Sequence, residues 1–217
     1  MNEDELWSAI DAQRLRTADV LEVLTPREWE RPSLCDGWTV RHVAAHLTLQ
    51  QMTLGSALRG ALRHPGSINH VIDASARDRA RLPTSRIVAE IRGMVGSRKH
   101  NVGLTPYETL IDVVVHGQDI AVPTGRTLEV PPEVAATAAS RVWADRNSRK
   151  SKVFKALPYD GNSLVATDTD WSVGEGSEVR GPVLALLLLL TGRSVVLPQL
   201  EGEGVAALSE RLAAARR

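Results

Sequence analysis

Two pairs of side chains lie four residues apart in this chain, His42 with His46 and Asp112 with His116, and Asp119 follows three residues after the second pair. On a helix an i to i+4 spacing sets both members of a pair one turn apart on the same face. One histidine from the first stretch, joined by Asp112 and His116 from the second, gives two neutral imidazoles and one carboxylate. That set leaves a divalent cation an open position for water or substrate, as in catalytic zinc sites. Zinc is the expected metal, although the same donors admit nickel, iron or manganese. His46 borders an apolar stripe through Val43 and Leu47, which predicts an inward ring. His42 lies in the first turn of its segment and reads as a capping or exposed side chain. Spacing alone is not specific, because such pairs also arise on solvated helices. Asp119 has two readings, an acceptor that orients an imidazole and a surface carboxylate near a helix end.

These residues need helices to present them. Residues 4–24 carry Leu6, Ile10, Leu21 and Leu24 at helical spacing, and Thr25-Pro26 ends the segment. Residues 27–38 read as a packed loop between two tryptophans. From Thr39 the stripe Val40, Val43, Leu47, Leu54, Leu58 and Leu62 predicts one long helix, expected to be the longest, ending at the HPG turn of residues 64–66. Residues 65–82 are polar and poorly periodic. After Pro83, Ile87, Val88, Ile91, Met94 and Val95 signal a third helix. Thr105, Pro106 and Glu108 form a capping box with proline and open a fourth, which runs to about Ala121. Pro131-Pro132-Glu133 opens another helical stretch reaching Trp143.

The C-terminal part differs in character. Residues 145–158 are basic and loop-like, with Arg146, Arg149, Lys150, Lys152 and Lys155, and read as a solvated linker. Residues 163–167, 171–173 and 178–180 predict short strands around a DTD turn. A leucine-rich helix framed by Pro182 and Gly192 follows, then an amphipathic one over residues 203–215.

Composition excludes several function classes. Lysine plus arginine, 26, equals aspartate plus glutamate, 26, so the chain lacks the positive excess that a phosphate backbone demands, and no nucleic-acid partner is expected. The longest apolar run, residues 183–190, falls far short of the roughly 20 residues that cross a bilayer, so no membrane partner is expected. The acidic, amphipathic start lacks the features of a secretory signal, and a single cysteine, Cys35, suits a reducing cytoplasm. Cys35 reads as a small buried filler rather than a reactive thiol, and Trp29, Trp38 and Trp171 as packing anchors.

Three segments resemble the mycothiol-dependent maleylpyruvate isomerase family. WERPSLCDGWTVRHVAAHL is similar to its N-terminal signature, a Ser-x-Cys-x-Gly-Trp-Thr-Val loop and a helix ending in His-Leu. DVVVHGQDIAVPTGR is similar to its second signature, and ATDTDWSVGEGSEVRGPVLALLLLLTGR to its C-terminal domain. The resemblance implies an α+β fold, mostly α: a DinB-like four-helix bundle over residues 1–144 and a small α/β, sterol-carrier-like domain over residues 145–217. It implies His46, Asp112 and His116 as metal ligands, with aspartate where the family often has glutamate. It further implies mycothiol as cosubstrate and a small electrophile as substrate. Arg193 is similar in placement to a family arginine facing the site, where its planar fork suits a carboxylate. A helix C-terminus offers the same residue a structural reading through the macrodipole. A metal-bound thiol is deprotonated, so the expected chemistry is thiolate attack, as a cis-trans isomerase or an S-transferase. Two other readings are a non-catalytic metal-binding or regulatory module of the same fold and, less directly, a carrier of apolar ligands. Oligomeric state is open, a homodimer included.

Overall fold

The structure, a computed structural model, describes residues 1–146 and 161–214, and apart from Arg146 the basic residues expected in a linker at 145–158 lie outside the described residues. The expected mostly helical α+β class is what the structure has. Cα proximity divides the chain into two compact units, Met1–Glu129 and Val130–Arg217, an earlier division than the 144/145 boundary read from sequence.

In the first unit α1 (Glu3–Glu22) starts at an Asn2 cap, whose side chain accepts from the Glu5 amide while Glu5 reaches back to the Asn2 amide. Three acidic residues in its first turn complement the helix dipole. The short α2 (Pro26–Trp29) is a capped turn inside the stretch expected to be loop, held by the same reciprocal bonding between Thr25 and Glu28. It sends Trp29 into the core.

The long helix expected from Thr39 is two helices, α3 (Val40–Leu47) and α4 (Leu54–Arg63). Tightened backbone bonds end α3, with the Leu49 amide donating to the His46 carbonyl at 2.8 Å, and the Thr48 hydroxyl takes the Ala45 carbonyl at 2.7 Å. The Met52 amide leaves the helical ladder altogether for Asn101 Oδ1. Past the break the apolar stripe faces solvent: Leu58 is 59% and Leu62 75% exposed, so periodicity there does not mark core. The Leu54 side chain lies outside the described set. Residues 68–79, too polar to be read as a helix, nevertheless form α5 (Ile68–Arg79), capped by Ser67. Its order comes from tertiary contact with α3 rather than from an apolar face.

α6 (Thr84–Arg92) and α7 (Pro106–Thr124) follow as expected, α7 opening on the Thr105–Glu108 capping box and ending at left-handed Gly125. Pro123 sits in its last turn, extending it beyond Ala121. Helices α1, α3, α6 and α7 pack together, joining Leu21, Val43, Leu47, Ile87, Ile91 and Ile120 in one core. α7 is buried on nearly every side. At Gly117 a Cβ would meet Thr17 Oγ1 at 3.2 Å and Leu128 Cδ1 at 3.3 Å, so glycine permits the close approach of α1.

In the second unit α8 (Pro132–Asp145) buries Val134, Ala135, Ala138, Ala139 and Val142, and packs on the leucine-rich α9 (Val183–Leu190). That pairing explains why α8 clusters with the C-terminal half. Three strands, β1 (Asn162–Ala166), β2 (Ser172–Gly174) and β3 (Ser177–Gly181), are ordered β2-β1-β3, with β1 antiparallel to β2 and parallel to β3. Asp168, in the DTD turn, accepts from the Val183 amide and caps α9. A 3-10 helix (Ser194–Gln199) and α10 (Gly204–Ala214) complete the unit. Among the described residues no helix is long and apolar enough to cross a membrane.

Candidate metal centre

α3 delivers His46 from its last turn, and α7 delivers Asp112 and His116 from one face. The Nε2 atoms of both imidazoles lie 3.3 Å from the same carboxylate oxygen, Asp112 Oδ1. The rings meet edge to face, with centroids 5.0 Å apart. One ligand atom from each of the three residues lies within 4.8 Å of the others. Donors bound tetrahedrally at zinc distances stand roughly 3.4 Å apart, so the two Nε2–Oδ1 separations match edges of such a polyhedron. The three side chains keep part of their surface exposed, which leaves the cluster accessible.

Electrostatics agree with a cation-binding role. Burial pushes the Asp112 carboxyl up, but the His46 and His116 imidazoles outweigh it and hold it well below the usual range. Burial likewise opposes charge on His116, yet Asp112, with help from Asp119 and Cys35, raises it well above an ordinary histidine. The pair thus favours an imidazolium beside a carboxylate, and a metal cation would take the place of that proton.

Asp119 resolves to the first of its two readings. Its side chain is 0% exposed, and Oδ2 accepts from His116 Nδ1 at 2.8 Å. That bond puts the His116 proton on Nδ1 and leaves the Nε2 lone pair for a cation. The same Oδ2 accepts from the Cys35 thiol at 3.0 Å. Cys35 is therefore not a mere apolar filler, as the sequence reading had it, but a partly buried donor to the carboxylate behind the site. Replacing Asp119 with alanine removes the acceptor for both neighbours, and metal affinity should fall about 10- to 100-fold. Competition with a chromophoric chelator measures this; unchanged affinity would mean that the carboxylate has no part in holding His116.

His42 stays out of the cluster. Its Nδ1 accepts the Thr39 amide at 3.1 Å and closes a cap on α3. Glu108 likewise serves its capping box. Trp38 does more than pack: its ring lies 5.4 Å from that of His46, and its indole N–H donates to Asp73 on α5 at 2.7 Å. Two residues that spacing rules could not single out, Gln50 and Arg14, back the site through Asp112 Oδ2. A glutamine after a helix end and an arginine on a helical face carry no local mark of such a role. Arg193 belongs to the second unit, just past α9, where its guanidinium donates to the Thr191 carbonyl.

Residues 10–108 match the family described as the mycothiol maleylpyruvate isomerase N-terminal domain. The matched segment contains His46 and stops before Asp112 and His116. The fold extends the likeness: crystal structures of the mycothiol-dependent maleylpyruvate isomerase and of a histidine-to-alanine variant each superpose with a TM-score of 0.64 at 14% identity. Each alignment covers 94% of this chain and 93% of the other. At that identity the likeness is one of fold. Among curated protein sequences none matches the chain.

Proposed function

We propose that the chain is a divalent-metal- and mycothiol-dependent enzyme of the maleylpyruvate isomerase type, acting on a small electrophile in the cytoplasm. The observation that carries this reading is the convergence of His46 and His116 on one oxygen of Asp112, with Asp119 fixing the tautomer of His116. Support also comes from the family of residues 10–108 and from the fold shared with the mycothiol-dependent maleylpyruvate isomerase.

The donor set fits zinc, and a bound divalent cation would supply the Lewis acidity that keeps a coordinated thiol deprotonated at neutral pH. His46, Asp112 and His116 would grip the cation from one side and leave its other side open. Asp119 keeps the His116 proton on the far nitrogen. Trp38 covers one side of His46 and restrains its ring. For an isomerase the thiolate adds to an activated double bond, the resulting single bond rotates, and elimination returns both the thiol and the trans alkene. For an S-transferase the thiol stays on the electrophile.

Metal-loaded protein incubated with maleylpyruvate should produce fumarylpyruvate only when mycothiol is present, and the thiol should be regained in full. Prior removal of metal by a chelator should abolish turnover, and zinc should restore it. Stoichiometric loss of thiol would favour the transferase form. Metal-loaded protein that neither binds mycothiol nor turns over any electrophile would defeat the enzymatic reading in favour of a non-catalytic module.

A further inference from the structure

Asp112 presents only Oδ1 to the two imidazoles. Its other oxygen, Oδ2, accepts a 2.8 Å hydrogen bond from Gln50 Nε2. The carboxamide oxygen of Gln50 faces the opposite way, 3.4 Å from both Nε and Nη2 of Arg14. A flipped amide would set oxygen against the carboxylate and NH2 against the guanidinium, so both neighbours select the same orientation. Gln50 is 4% exposed and Arg14 is 0% exposed, which removes water as a competing partner.

Arg14 is itself fixed. Its Nη1 donates to the Met94 carbonyl at 3.0 Å and to Asp11 Oδ1 at 3.2 Å. Gln50 follows the end of α3, in the turn after Thr48, and is buried there.

We propose that Gln50, oriented by buried Arg14, is a positioning residue that confines Asp112 to donating through Oδ1 alone. A carboxylate bound through both oxygens would use two positions on a cation. Held to one oxygen, it leaves the extra position for a thiol or substrate. The inference rests on the metal-centre reading given above.

Gln50→Met keeps the length of the side chain and removes the donor. Zinc affinity of the purified full chain, measured by chelator competition, should drop about 10- to 100-fold. The absorption of the cobalt-loaded variant should weaken, as expected of a higher coordination number. Zinc binding within about twofold of the parent, with an unaltered cobalt spectrum, would overturn the proposal, because an orienting partner matters at least tenfold. Should Gln50→Met fail to fold, Gln50→Asn, one methylene shorter, is read in the same way. The two readings separate cleanly. If the parent protein binds zinc and His116→Ala does not, while Gln50→Met binds as the parent does, only the positioning role falls. A parent protein that takes up no metal removes both.

Discussion

Purified His116→Ala protein is expected to carry almost no metal and to lose turnover by about 10³-fold or more. Lewis-acid stabilisation is worth several kcal/mol, and each factor of ten in rate corresponds to about 1.4 kcal/mol. The substitution takes away one of the two imidazole nitrogens that face Asp112 Oδ1, and it leaves the fully buried Asp119 carboxylate without the partner 2.8 Å away. Elemental analysis alongside the mycothiol-dependent assay checks the result. His42→Ala is the matching control: it deletes a histidine four residues from His46 whose Nδ1 is used in capping α3. It should cost about 1 kcal/mol of stability, as cap losses do, and keep its metal. A His116→Ala variant retaining full metal would remove the centre proposed here.

Arg14→Met is expected to destabilise the protein by about 2–4 kcal/mol, the range for orphaning buried acceptors and breaking a buried charged network. The guanidinium is wholly enclosed and serves Gln50 Oε1, the Met94 carbonyl and Asp11 together. Asp11 retains some exposure, which keeps the loss below that of a fully buried ion pair. Denaturant unfolding of metal-free protein measures the change. A loss below about 1 kcal/mol would mean that water or side-chain rearrangement satisfies these groups, and that the arginine is not a keystone of the first unit.

The ligand-bearing helices were legible where chemistry and folding signals coincided. Thr105-Pro106 with Glu108 marks the start of α7 unmistakably, and the four-residue spacing of Asp112 and His116 follows once the helix is known. The strands and the leucine-rich helix were equally plain, because a DTD turn, Pro182 and Gly192 punctuate them. Periodicity misled after Leu47. Leu54, Leu58 and Leu62 continue the phase of Val40 and Val43, but Thr48 diverts to the Ala45 carbonyl and the chain turns. α5 went unread because it contributes little apolar surface, with Ala76 its one fully buried side chain, and depends on α3. The supporting network was beyond reach for another reason. Gln50 and Arg14 lie 36 positions apart, and Cys35 lies 84 from Asp119, so only the folded chain joins them.

α7 supplies Asp112, His116 and Asp119 from a single rod enclosed by its neighbours. A rod so enclosed resists local fraying, so its three side chains keep their mutual alignment for as long as the unit stays folded. The alignment of those groups is therefore a property of the bundle as a whole rather than of any individual bond.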